Sequence, residues 1–272
     1  DPLAAAIHLG DTYYSGTEDE VAHNLVANFP SLRPNVRRLT LNGNHEMYGG
    51  ARGYYQALAE FGQPCSYFAL QNKKFTILCL DTAYEDFKLA GQQVEWCKRI
   101  INQAGGSRQI ILLSHHQPFS AFEPGGKDLV AQLAPILQSG RVLAWYWGHE
   151  HRCVVYNRHS QWGTYGRCIG HGGYPYFRAS QTLQLRPAAG QPVQKVQMQA
   201  VTHEDNSLWY GFGDNVESPG GIILADDNRY MRDDHARYGA QGFVMLDMRG
   251  GQATERFLRP DGTQILSQRL TP

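Results

Sequence analysis

Short apolar runs that stop at a glycine or a polar side chain recur through residues 5–157. Ile7-His8-Leu9 runs into Gly10-Asp11, and Arg38-Leu39-Thr40-Leu41 into Asn42-Gly43-Asn44-His45-Glu46. Ile110-Ile111-Leu112-Leu113 ends at Ser114-His115-His116, and Val142-Leu143-Ala144-Trp145-Tyr146-Trp147 at Gly148-His149-Glu150-His151. Runs of this length followed by turn formers read as strands, each delivering its polar residues at its carboxyl end. Helical spacing fills the gaps between them. Thr17-Glu18-Asp19-Glu20 has the spacing of a capping box, and Val21, Leu25 and Phe29 follow at four-residue intervals, so a helix ends before Pro30. The acidic residues of its first turn read as partners of the helix dipole. Residues 5–45 are thus strand, helix, strand, the parallel unit that requires a buried sheet.

Further on, glycines in residues 48–55 predict a loop leading into a helix that carries Leu58 and Phe61. Two apolar runs flanking Asn72-Lys73 predict a hairpin. Helices are expected over 89–103, closed by Gly105-Gly106, and over 129–137, kinked or interrupted by Pro135. Val154-Val155-Tyr156 continues the sheet, and the alternation indicates α/β architecture. From Gly172 to Ala225 the pattern decays among Pro175, Pro187, Pro192 and Pro219, which predicts long loops or short strands rather than an independent core. Residues 242–248 and 253–258 bracket Arg249-Gly250-Gly251-Gln252, and Pro260-Asp261-Gly262 precedes Ile265-Leu266. These read as antiparallel strands closing a second sheet. The expected organisation is one domain over 1–272: a ligand-bearing part over 1–157, a loop-rich insertion over 172–240, and closing strands over 241–272.

Composition narrows the class. The 272 residues are 42% hydrophobic and 18% charged, enough for one large core. Lys+Arg and Asp+Glu number 25 each, so no overall field draws in nucleic acid or an anionic membrane surface. No apolar run reaches membrane-span length, and no signal-peptide pattern opens the chain. Five cysteines, an odd number without C-x-x-C spacing, with Cys79 and Cys97 inside apolar patterns, favour a reduced, cytoplasmic setting.

The four strand ends bring Asp11, Asn44, His45, His115, His149 and His151 towards one edge of a sheet, where open α/β folds place their ligand sites. Taken singly, each is as well explained by a turn or a cap. Together they offer oxygen and imidazole donors without a thiolate, the donor set of a transition-metal site. Arg52, in the glycine-rich loop, is either a phosphate holder or a solvated arginine.

The ordered set Gly10-Asp11, Gly43-Asn44-His45-Glu46, His115 and Gly148-His149-Glu150-His151 resembles the calcineurin-like metallophosphoesterases, a family that includes the purple acid phosphatases. The resemblance covers roughly residues 5–157. It implies a two-sheet β-sandwich flanked by helices, four layers in the order αββα. It further implies metal-dependent hydrolysis of a phosphate ester by a dinuclear centre with a metal-bridging hydroxide, the ions being Mn, Fe, Zn or Ni. Carried over residue by residue, Asp11 bridges the two ions, and Asn44, His115 and His149 complete one shell. His151 serves the other. His45 contacts the scissile phosphate and protonates the leaving group. Glu46 accepts from an imidazole behind the ligands, His116 packs or lines the pocket, and His171 edges it or is a turn histidine. Asp81 has no ligand role in the family and reads as a turn carboxylate. His8, His23, His159, His203 and His235 read as structural or surface residues.

One departure stands out: the family's first strand carries an Asp-x-His element, and Asp1-Pro2-Leu3 does not match it. The expectation is therefore a fold that is truncated at its N-terminus. The expected substrate is a small phosphorylated molecule, with monoester and diester both open. Nucleic acid and membrane are not favoured as partners. The alternative to an enzyme is a non-catalytic interaction scaffold on the same fold.

Overall fold

The structure, a computed structural model, describes residues 3–174, 195–198, 218–224, 228, 230–231 and 237–272. Pro175, Pro187, Pro192, His203, His235 and most of the loop-rich 172–240 segment lie outside the described residues.

The chain opens with β1 (Ala5–His8) and β2 (Arg37–Thr40), paired in parallel with Ile7 opposite Leu39. Their crossover begins with α1 (Glu18–Glu20). Thr17 Oγ1 accepts from the Glu20 amide at 3.3 Å, and the Glu20 carboxylate accepts from the Thr17 amide at 3.1 Å. This is the capping box its spacing predicts. The helix then widens into a π-helical stretch, Val21–Val26, marked by the Ala27 amide donating to Ala22 five residues back at 2.9 Å. Val21 and Leu25 are buried against Ala57 of α3 (Arg52–Phe61), and a short α2 (Asn44–Tyr48) joins β2 to α3.

The main sheet has eight strands: β3 (Phe68–Gln71), β4 (Phe75–Cys79), β5 (Gln109–Ser114), β6 (Val142–Trp147), β7 (Cys153–Arg158), β8 (Tyr165–Ile169), β9 (Lys195–Met198) and β10 (Gly221–Leu224). Their spatial order is β3-β4-β5-β6-β8-β7-β10-β9, with β4, β5, β6 and β8 parallel. Asn72 closes the predicted β3–β4 hairpin, its Oδ1 accepting from the amides of Lys74 and Phe75 at 2.8 Å.

Side chains alternate across this sheet, and both faces are buried. Ile110 and Leu112 of β5, with Trp145 and Trp147 of β6, pack against Cys97 and Ile101 of α4 (Gln93–Gln103) and Leu129, Leu133 and Leu137 of α5 (Lys127–Leu137). Ile111 and Leu113, with Ala144 and Tyr146, face the other way. They meet Ile7, Leu9 and Leu41 from the β1–β2 pair, and Ala253 and Leu270 from a three-stranded antiparallel sheet, β11 (Phe243–Arg249), β12 (Gln252–Leu258) and β13 (Gln264–Leu270). Double-sided burial is why the parallel strands read as continuous apolar runs. The result is mixed α/β: two layers of strands, with α4 and α5 on one outside and the α1–α3 segment against β2 on the other.

The strand the pattern did not reveal is β8. It sits between β6 and β7, in the middle of the main sheet.

Candidate metal centre

His115 follows the last residue of β5 and is fully buried, with its Nδ1 2.7 Å from the Leu9 carbonyl oxygen. A neutral ring that donates there turns its Nε2 lone pair to the opposite side. Around that Nε2 stand Asp11 Oδ2 at 3.0 Å, Asn44 Oδ1 at 3.1 Å and His149 Nδ1 at 3.2 Å. Asn44 Oδ1 is also 3.0 Å from His149 Nδ1. One ring nitrogen carries at most one proton, so it cannot donate to all three neighbours. A shared cation resolves the crowding. With bonds of about 2.1 Å, adjacent donors lie about 3.0 Å apart in an octahedral shell and about 3.4 Å apart in a tetrahedral one. Asn44, His115 and His149 therefore have the mutual spacing of a transition-metal shell, with Asp11 Oδ2 beside His115. The quartet has its donor chemistry: two imidazole nitrogens, an amide oxygen and a carboxylate oxygen.

The backbone is bent to produce this convergence. Asp11 and His149 hold left-handed φ values of 63° and 58°, rare for residues with a Cβ and found where the surrounding structure enforces them. Gly10 has φ 94°, and a Cβ there would fall 2.7 Å from His115 Nδ1, so only glycine lets the loop pass the ring. Burial lowers the His115 imidazole, but the charge and hydrogen bond of Asp11 outweigh it and raise it, so ligation there would release a proton. His149 and Asp11 already favour their ligating forms. Burial, followed by the charge of His115, pushes the His149 imidazole down to about 3, leaving it neutral and able to ligate near pH 7. For Asp11, burial works against ionisation, but the neighbouring His115 outweighs it and holds the carboxyl below its usual range.

Asp11 turns its second oxygen, Oδ1, to the His45 amide at 3.0 Å. The His45 ring is half-buried, its Nδ1 2.5 Å from the Tyr14 carbonyl oxygen and its centroid 4.8 Å from that of Tyr48. Glu46 is fully buried and accepts from the Asp11 amide at 3.0 Å, the Gly43 amide at 2.9 Å and the Tyr13 hydroxyl at 2.7 Å. Burial, then the charge of Asp11, raises its carboxyl to about 7. The expected imidazole partner is replaced by these two amides and a phenol, so Glu46 fixes the loops that carry Asp11 and Asn44. Asn44 is oriented in turn by Tyr48, whose hydroxyl accepts from Asn44 Nδ2 at 2.9 Å and leaves Oδ1 facing the histidines.

With this geometry in place, comparison with known proteins decides the family. Residues 4–153 match the calcineurin-like phosphoesterases. The chain belongs to this family. Among curated proteins it is similar to the pig (Sus scrofa) tartrate-resistant acid phosphatase type 5, 28% identical over 179 residues, which are 53% of this chain and 52% of that protein. The chain thus spans about half the length of that relative. Among solved structures it is similar to "GAP50 the anchor in the inner membrane complex of Plasmodium", with a TM-score of 0.61 and 12% identity over 98% of this chain and 78% of that one. At that identity the likeness is one of fold.

Membership of this family implies phosphoester chemistry, and its members generally bind two transition metals; the remaining candidate residues of this chain take the following positions. His151 stands apart from the quartet. It is partly buried, its ring 5.5 Å from that of Tyr174, and it is near enough to Asp11 to feel that charge. His116 is fully buried beside His115 and His149, and the three rings offer nitrogens within 4.8 Å of one another. Its Nδ1 lies 3.0 Å from Thr82 Oγ1, while its Nε2 has no hydrogen-bond partner among the described residues and lines a cavity of about 380 Å³ shared with Asn44 and His149.

Two expected pocket residues lie elsewhere. Arg52 begins α3 with its side chain 79% exposed and pairs with Glu18 at 3.0 Å, outside both the quartet and the cavity. His171 is buried beside Gly242, its carbonyl accepting from the Gly242 amide at 3.2 Å; it ties the loop after β8 to the start of β11. Asp81 is the turn carboxylate its position suggests, accepting from the amides of Ala83 and Tyr84 at 3.1 and 3.2 Å. His8 bonds Thr40 at 3.2 Å and is held neutral by burial.

The structure adds three participants. The Leu9 carbonyl sets the His115 tautomer, Glu123 places a carboxylate 3.7 Å from His149 Nε2, and Phe87 lies against the rings of His116 and His149. Of these, only Glu123 lies in a segment, residues 119–127, whose position between strand and helix marks it as a pocket loop.

Proposed function

We propose that this chain hydrolyses a small phosphate ester at a two-metal centre. Asp11 Oδ2, Asn44, His115 and His149 would hold one ion, and Asp11 Oδ1 and His151 would contribute to the other. The observation that carries this reading is the four-donor convergence on His115 Nε2. Bound ions of this class supply Lewis acidity towards the phosphate and a lowered water pKa. The protein's own part falls to His45. With Nδ1 donating to the Tyr14 carbonyl, the ring presents Nε2, which when protonated can donate to a phosphate oxygen and pass its proton to the departing alkoxide. The balanced charge of the chain supports a small substrate over nucleic acid, and its five free thiols support a reducing, cytoplasmic setting.

The test pairs elemental analysis with hydrolysis of 4-nitrophenyl phosphate and bis(4-nitrophenyl) phosphate in added Mn²⁺. The wild-type chain should retain metal and hydrolyse at least one ester, and His115→Ala should lose both properties. His45→Ala should keep its metal while turnover falls about 10²-fold or more. Near-normal turnover in that variant removes His45 from the mechanism. A metal-loaded chain that hydrolyses neither ester would shift the reading to a scaffold, the kind of role that the word "anchor" gives the Plasmodium neighbour.

A further inference from the structure

The cavity beside the quartet has a composition of its own. Asn44 and His149, two of the proposed ligands, are among its lining residues, so the cavity adjoins the centre and could receive the ester substituent of a phosphate held there. The remaining wall is Met47, Tyr48, Ala83, Phe87 and His116, whose Nε2 makes no hydrogen bond among the described residues but lies 3.8 Å from Oδ1 of Asp86, a side chain that is 80% exposed. Among the described residues, no lysine or arginine lines it. Its volume of about 380 Å³ is that of a small-molecule pocket.

The segment that supplies Phe87 is distorted. Asp86 and Phe87 are consecutive non-glycine residues with left-handed φ values of 39° and 60°. Bulky side chains rarely adopt this conformation, and it persists where surrounding structure enforces it, often at ligand clamps. Here it lays the Phe87 ring 4.0 Å from the His116 ring at a 37° tilt, and edge-on to His149 at 5.4 Å. The strained aromatic corner thus packs against two imidazoles, tilted over His116 and at right angles to His149, and forms part of the cavity wall.

We propose that Phe87, with Met47, Tyr48 and Ala83, forms a leaving-group subsite selecting phosphate esters of flat, uncharged aromatic alcohols. A flat ring finds apolar contact and aromatic faces there. A leaving group bearing a second phosphate would meet the Asp86 carboxylate in place of a cation. This inference rests on the proposed phosphoesterase reading.

The experiment is arranged so that the two can fail separately. Benzyl phosphate and ethyl phosphate both release primary alcohols, so their ratio of kcat/KM isolates recognition of the ring. With Mn²⁺-loaded protein the expected ratio is at least about tenfold in favour of benzyl. Phe87→Ala should bring the ratio below about threefold, whatever it does to the absolute rates. A role confined to packing on His116 would lower both esters together and leave the ratio in place. Phe87→Gly is the second variant, since glycine accepts the local φ and removes the ring without adding backbone strain. Binding of benzylphosphonate and ethylphosphonate, followed calorimetrically, gives the same comparison without turnover. Hydrolysis of both esters at similar kcat/KM overturns the subsite and keeps the enzyme. Preferential binding of benzylphosphonate without hydrolysis of either ester keeps the subsite and overturns the catalytic reading. Equal phosphonate binding without hydrolysis overturns both.

Discussion

Glu46 shows how much of the centre depends on a residue that would not itself touch metal or substrate. Its two oxygens receive the Asp11 amide, the Gly43 amide and the Tyr13 hydroxyl, which fixes both loops that bring oxygen donors to His115. An amide in its place offers one accepting oxygen and turns an NH₂ towards a donor that needs an acceptor. Glu46→Gln should therefore loosen the loops without emptying the space. Residues that orient metal ligands typically account for about 10–100-fold in affinity, and a loss of that size is expected from competition against a chelator. Unchanged affinity would show that the loops hold their positions without the carboxylate. At this scale the donor quartet was legible because its side chains follow apolar runs at short, fixed distances. The Leu9 carbonyl was not: every residue has a carbonyl, and only the fold aims this one at His115.

Among the elements, β8 is the one whose chemistry hides its structure. Tyr165-Gly166-Arg167-Cys168-Ile169 breaks the apolar run expected of a central strand with a glycine and an arginine, yet Gly166 to Cys168 are buried. Gly166 is there because two large rings occupy the place of its side chain. A Cβ would collide with Phe119, whose Cε2 lies at 2.8 Å, and with Trp147 at 2.9 Å. Neither ring has room to retreat, being fully buried itself. Gly166→Ala should thus destabilise the fold by roughly 1–3 kcal/mol, measured as a shift in the urea midpoint; a midpoint within error of wild type would mean that the rings repack freely. The contrast with β4, β5 and β6 explains what the sequence makes visible. Strands buried by aliphatic residues on both faces declare themselves, whereas a strand that buries an ion pair and yields space to aromatics looks like a loop. The Asp86–Phe87 corner was illegible for a related reason: no residue type there announces a left-handed backbone.

At the scale of the whole molecule, the centre is assembled across two layers. Asp11 and Asn44 follow strands of the β1–β2 pair, while His115 and His149 follow strands of the main sheet. Its donor spacing therefore depends on how the layers are held. Apolar contact supplies most of the attraction but little registry, and a buried ion pair crosses between the main sheet and the closing sheet. Arg167 Nε of β8 meets Glu255 Oε1 of β12 at 2.8 Å, both side chains almost fully buried. Arg167 also donates to the carbonyls of Tyr156 and Gly166 at 2.7 Å, and Glu255 accepts from the Tyr146 hydroxyl and from Gln268 Nε2 at 2.5 Å. Every charge is answered, which is the condition under which a buried pair is tolerated. Removing one partner leaves the other charged and dry. Glu255→Leu and Arg167→Met should each cost about 3–5 kcal/mol in urea unfolding. The double variant strands no charge, and the remaining loss is that of the neutral hydrogen bonds to Tyr146, Tyr156, Gly166 and Gln268. Its cost should fall short of the sum of the singles by at least about 2 kcal/mol. If the two substitutions add, Arg167 and Glu255 do not act as a unit, and the registry of the two sheets must come from the apolar packing around Ala253 and Leu270 alone.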